Sequence, residues 1–176
     1  MTTKSCWFGS VKTQTRKRTM SATKTKEKVA SNPLTFKQLL GRVQKHEAAG
    51  SLLKAAFQTG WLTDETFLTR VSETEQQIVK ETYSESAEAK KAKVADLGGT
   101  LPPTVGPMAD EPKFSGTRAK ITAGSRTVEV YARMFKTMQK RHPKAMIFLS
   151  PEGTETVIIF SEKTTVAVLP PLKDKS

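Results

Sequence analysis

Two stretches of this sequence hold side chains whose type and spacing fit one chemistry, the binding of phosphate. The first, VKTQTRKRTMSATKTKEK at residues 11–28, includes Arg16, Lys17, Arg18, Lys24 and Lys26 with one carboxylate and no aromatic residue. The second lies between residues 112 and 145, where nine basic residues, among them Arg118, Lys120, Arg126, Arg133, Lys136, Lys140, Arg141 and Lys144, face Glu129 alone. Cations at this density neutralise phosphates and release counterions without reading bases. Arg18-Thr19-Met20-Ser21 also sets a basic residue three before a serine, where a phosphate would add close to two negative charges and weaken the first stretch.

Other chemistries lack the residues they need. Cys6 is the single cysteine, so it forms no internal disulfide, and with only His46 and His142 beside it no structural zinc cluster is expected. Glycine-rich phosphate loops, paired carboxylates and Ser-His-Asp or Cys-His arrangements do not stand out from the background. Glu65, Glu73 and Glu75 read as ordinary surface charge on a helix. His46 reads as a helix-surface residue, and His142 as a C-terminal turn residue beside Pro143. The sequence therefore predicts a protein that is not an enzyme, with no catalytic residue, no metal and no cofactor.

The net charge of +12 is unevenly placed. Residues 1–30 carry eight basic residues and one acidic, residues 31–98 carry nine of each, and residues 99–111 contribute only Asp110 and Glu111. All the excess thus sits in two separated regions, a pattern that points to a polyanion partner.

The first 30 residues, dominated by Thr, Ser and Lys, offer only Trp7 and Phe8 as a large apolar pair, too little to offset chain entropy. They are read as a disordered basic arm. Three roles compete for it, in this order: a nucleic-acid tail, a nuclear localisation signal around Arg16-Lys17-Arg18, and an organellar transit peptide. The composition and the lone cysteine predict a cytoplasmic or nuclear protein, with organellar import as the alternative and no membrane insertion.

The elements that must position the second basic stretch are read as follows. Residues 31–97 form a helical unit. Asn32 and Pro33 start a helix bearing Phe36, Leu39, Leu40 and Val43, a second spans Ser51 to Gln58 with Gly60 as its C-cap, and Thr63 caps a third carrying Phe67, Leu68, Val71, Ile78 and Val79. Residues 98–116 hold four of the ten glycines and four of the nine prolines and read as a linker. Residues 117–170 read as an α+β unit, with residues 171–176 as a short tail.

In that unit TRAKITA reads as a strand and Arg126 to His142 as one helix stopped by Pro143. At about 100° per residue, Val128, Tyr131, Met134, Phe135 and Met138 share one sector, with Arg126, Arg133, Lys136 and Lys140 opposite. Three strands follow, at Met146–Leu149, Thr156–Phe160 and Thr164–Leu169. The first two are joined as a hairpin through Ser150-Pro151-Glu152-Gly153. Phe148 and Phe160 could stack bases, but strand aromatics of this kind are expected in the core. Because the strands are apolar on both sides, the sheet needs two covers: the basic helix, and either the N-terminal helices or a second copy of the chain.

The fold class expected is α+β: about three N-terminal helices, then one amphipathic helix on a mainly antiparallel sheet of three to four strands. The function expected is nucleic-acid binding, RNA favoured over DNA, in a protein that forms a homodimer or higher oligomer. Small proteins that coat or package a genome, viral ones included, share this layout of cationic arm and compact body. The alternative is a protein-interaction or regulatory module whose arm serves for localisation.

Overall fold

The structure, a computed structural model, describes residues 32–85, 91–97, 101 and 104–173. The expected arm at residues 1–30 and the last residues of the tail lie outside them. The chain is of mixed α+β type, with an antiparallel sheet of five strands and another of three.

Helix α1 (Phe36–Val43) buries Leu39, Leu40 and Val43, as its periodicity requires. Its N-cap is Thr35 rather than Asn32. Thr35 Oγ1 accepts from the Gln38 amide at 3.3 Å and Gln38 Oε1 accepts from the Thr35 amide at 2.9 Å, a reciprocal capping box. Before it, the Leu34 amide donates to Thr137 Oγ1 at 2.8 Å. Helix α2 (Ala49–Thr59) buries Leu52, Leu53, Ala55 and Ala56. It ends at Gly60, whose φ of 73° is left-handed and whose amide donates to the Ala56 carbonyl.

The expected third helix does not begin at Thr63. Strand β1 (Trp61–Thr63) and strand β2 (Leu68–Arg70) form a hairpin there, in register from Trp61↔Arg70 to Thr63↔Leu68. Asp64 makes the turn: its Oδ1 accepts from the amide and the hydroxyl of Thr66, and Thr63 Oγ1 donates to the Phe67 carbonyl at 2.6 Å. Short apolar runs satisfy either period, and pairing of β2 with the last strand of the sheet decides this one. Helix α3 (Glu73–Glu85) starts only at Ser72, which forms a second capping box with Glu75. Val79 is buried, whereas Ile78, expected beside it in the core, is 42% exposed.

The larger sheet runs β1-β2-β8-β7-β6, with β6 (Met146–Leu149), β7 (Ile158–Ser161) and β8 (Thr165–Leu169). The hairpin expected between its first two C-terminal strands is present. Because β2 pairs with β8, strands from the expected helical unit and from the C-terminal unit share one sheet, and one core cluster takes residues from both.

The smaller sheet comprises β3 (Lys113–Ser115), β4 (Arg118–Ala123) and β5 (Arg126–Tyr131). Arg126 to Tyr131 was expected to open the basic helix, and it is a strand instead. Gly124, at φ 59°, reverses the chain after β4, so Thr127, Val128 and Val130 pair with it in register from Arg118↔Tyr131 to Ala123↔Arg126. Helix α4 (Ala132–Arg141) follows directly and lies between the sheets. Fully buried Phe135 touches Phe160 with centroids 5.4 Å apart and Phe114 at 5.9 Å.

The larger sheet has two apolar faces, and α4 covers one. On the other face Trp61, Leu68 and Val168 pack with Leu97, Leu101 and Val157. The stretch expected as a linker therefore contributes to packing, and its continuation borders β6. The Gly106 amide donates to the Leu149 carbonyl at 2.8 Å, the Leu149 amide to the Pro107 carbonyl at 3.0 Å, and the Ala109 amide to the Ile147 carbonyl at 2.8 Å. A Cβ on Gly106 would stand 2.6 Å from the Leu149 and Ser150 carbonyl oxygens, with backbone on both sides. Gly106→Ala is expected to cost about 1–3 kcal/mol of stability through this overlap. An unchanged urea midpoint would mean that residues 106–109 do not hold this position in solution.

Candidate nucleic-acid interface

The predicted phosphate-binding residues divide into groups once placed. Arg16, Lys17, Arg18, Lys24 and Lys26 lie outside the described residues. On α4, Arg133, Lys136 and Lys140 fall at i, i+3 and i+7 on the side opposite Met134, Phe135 and Met138, so this row survives the shortening of the helix. Lys140 and, beyond the helix, Lys144 are exposed. Lys136, half-buried, has its Nζ 4.7 Å over the Phe114 ring in a cation–π contact. Arg133 Nε donates to the Asn32 carbonyl at 3.0 Å.

Arg126 and Arg141 do not join the row. Arg126 sits on β5, and its guanidinium donates to the Ser150 carbonyl at 2.5 Å and to Thr156 Oγ1 at 2.9 Å, clasping the connection after β6. Arg141 turns inward and binds Glu75 through two bonds of 2.7 Å, donates to the Arg70 carbonyl at 3.1 Å and lies over Phe36. With its side chain 12% exposed against 20% for Glu75, it ties the C-terminus of α4 to the N-terminus of α3. Glu75 is thus a structural partner rather than free surface charge.

Burial would raise the Glu75 carboxyl, but the Arg141 bonds, the Ser72 amide and the Arg141 charge outweigh it and hold the group below its ordinary 4.5. Next to this pair His142 is pushed below 6.5, first by burial and then by the Arg141 charge; its Nε2 lies 2.9 Å from Thr69 Oγ1. His46 is in the turn after α1, its Nδ1 accepting from the Ala48 amide.

A second basic surface is the outer side of the smaller sheet. Residues paired across antiparallel strands project to the same side, so Lys113, Lys120 and Glu129 stand in one row and Arg118 in the next. Arg118 donates to Glu129 at 2.9 Å, which leaves the two lysines with the net charge. Lys113 was missed in the sequence because only the β3–β4 register brings it opposite Lys120.

Tyr131 was missed for a related reason. Assigned to a buried helical face, it ends β5 on the outer side and is 58% exposed. The alternation Thr127, Glu129, Tyr131 against Val128 and Val130 was the signal that could have found it. Phe160 is core, as expected of strand aromatics, and Phe148 is half-buried.

Among the described residues no group of three His, Cys, Asp or Glu side chains could hold a metal ion, and no helix is long and apolar enough to cross a membrane. No known protein family, characterised protein or solved structure matches this chain.

Proposed function

We propose that this chain is a non-enzymatic nucleic-acid-binding protein, favouring RNA over DNA, that holds phosphates through its basic arm and the row Arg133, Lys136 and Lys140. One observation carries the reading. The Asn32 carbonyl, at the first described residue, accepts from Arg133, so the arm joins the body beside the basic row of α4. The first described residue thus lies against a row about a hundred positions away in the sequence, which supports the reading that a single polyanion neutralises both concentrations of charge. A role in coating or packaging a genome, as in viral nucleoproteins, or an accessory role beside one, is the biological form this reading takes. Its compartment is cytoplasmic or nuclear.

A second reading, a protein-interaction module whose arm serves for localisation, draws on a different feature. Met108 and Met146 are 63% and 54% exposed beside Phe148 at the outer end of the larger sheet, an apolar edge suited to a protein partner or to self-association.

Binding of the full chain and of a form lacking residues 1–30 to single-stranded RNA, duplex RNA and duplex DNA across a salt series separates the two. The log–log salt slope is expected to become shallower without the arm. Charge reversal at Arg133, Lys136 and Lys140 is then expected to abolish the residual binding, each phosphate contact contributing about 0.7 to the slope for a single strand. If neither form binds any of the three near physiological salt, the interaction-module reading stands instead.

A further inference from the structure

Beside the N-terminal end of α4 lies an open groove of about 510 Å³, lined among others by Leu34, Arg42, Thr117, Tyr131, Arg133 and Met134. Its walls come from five separate parts of the chain: the entry to α1, the end of α1, the β1–β2 turn, the β3–β4 turn and the β5–α4 junction. The volume is within the range of small-ligand sites, and the floor supplied by Leu34 and Met134 is apolar. We propose that this groove takes one unstacked nucleotide of a single-stranded nucleic acid, with the base on Tyr131 and its phosphate held by Arg133 and Arg42. The proposal rests on the reading of the chain as a nucleic-acid binder and adds to it a preference for single strands.

The chemistry of the lining selects this occupant. Asp64, behind the lining, offsets the charge of Arg42, but no carboxylate is among the described lining residues and α4 has no acidic side chain in its first turn, so Arg133 leaves the groove with net positive charge that favours an anion. Arg42 is held in place: its Nε donates to Asp64 Oδ2 at 2.7 Å and its Nη2 to Thr66 Oγ1 at 3.0 Å, leaving Nη1 as the donor not used in these bonds. Arg133 is fixed through Nε to the Asn32 carbonyl, a bond that does not use its two terminal nitrogens.

Tyr131 supplies what a phosphate alone would not need. Its large ring is 58% exposed, and its position is set by strand β5 and by the Ala132 amide, which donates to the Thr117 carbonyl at 2.8 Å. An aromatic ring on a rigid junction, with guanidinium groups beside it, is the combination used to stack a base and hold its phosphate. A base inside a duplex is stacked on its neighbours and cannot enter. Arg133 belongs both to this lining and to the α4 row, so a strand held along the row meets the groove.

The test uses the full chain and a single-stranded RNA carrying 2-aminopurine, with the same RNA annealed to its complement as the duplex arm. The wild type is expected to quench the fluorophore in the single strand. Tyr131→Ala is expected to remove the quench and to lower single-strand affinity roughly tenfold, with a clearly smaller loss for the duplex, while Tyr131→Phe keeps both quench and affinity. Because this side chain is largely exposed, the alanine variant should fold, and its thermal transition checks that it does.

Three outcomes overturn the proposal: an unchanged quench in Tyr131→Ala, equal losses for single strand and duplex, or binding of a phosphopeptide in preference to the RNA. If Lys136→Glu with Lys140→Glu still weakens RNA binding when Tyr131→Ala does not, the groove assignment fails while the nucleic-acid reading stands. If none of these changes alters binding, both fail.

Discussion

Phe135→Ala is expected to lower the unfolding free energy by about 3–5 kcal/mol, the range for removing a large aromatic side chain from a close-packed interior. The ring is fully buried, stands on the helix between the two sheets and touches Phe160 on one side and Phe114 on the other. Few neighbours can collapse into the space, because Met138, Ile121 and Leu149 around this core are themselves fully buried on separate elements. For a domain whose whole stability is of order 5–15 kcal/mol, such a loss leaves a substantial fraction unfolded at moderate urea. Chemical denaturation followed by circular dichroism measures it. A loss below about 1 kcal/mol would mean that α4 does not join the sheets into one core.

The second large effect concerns Arg141 and Glu75. Arg141→Ala removes two charge-assisted bonds to Glu75 and one to the Arg70 carbonyl, and leaves a largely buried carboxylate without its counter-charge. Breaking such a pair from one side costs about 3–5 kcal/mol when it is fully buried; residual solvent access here brings the expectation to about 2–3 kcal/mol. Replacing both residues together, Glu75→Leu with Arg141→Met, should cost less than Arg141→Ala alone, since no orphaned charge remains. A double replacement as damaging as the single one would show that packing, not charge, holds the two helices at this point.

The pair also gives stability a direction with pH. The Glu75 carboxyl is held below 4.5, so its contribution is complete above that value and is lost as the pH falls through the lower folded-state value. His142 is depressed below 6.5, so the fold favours its neutral form. Its contribution is complete above 6.5 and declines as acidification drives protonation in the unfolded chain first. Acid therefore weakens the fold in two stages, and a His142→Gln variant is expected to lose the upper one. Unfolding free energies measured from pH 8 down to about pH 3 give the curve; stability that rises on acidification just below pH 6.5 would reverse the sign for His142, and a rise below pH 4.5 the sign for Glu75.

The sequence by itself determined those features that depend on local spacing. The apolar faces of α1, α2 and the core of α4, the Gly60 cap, the C-terminal strands and the i, i+3, i+7 row of cations all follow from residues within a turn or two of one another. The tertiary structure decided whatever depended on pairing with a distant segment. Residues 61–70 and 126–131 have apolar spacings that satisfy a helix or a strand. For the first, β8 far away in the chain offers the backbone hydrogen bonds that settle the choice; for the second, the neighbouring strand β4 does, once the turn at Gly124 folds the chain back on it.

The same physics sorted the cations. Arg126 and Arg141 resemble Arg133 in the sequence, yet a carbonyl after β6 and a carboxylate on α3 draw them out of the binding row. Tyr131 moved the other way, from a supposed core to an exposed wall, once its residue became the end of a strand. Charge and periodicity are written along the chain. Whether a given charge is free to meet a ligand depends on which groups folding places beside it.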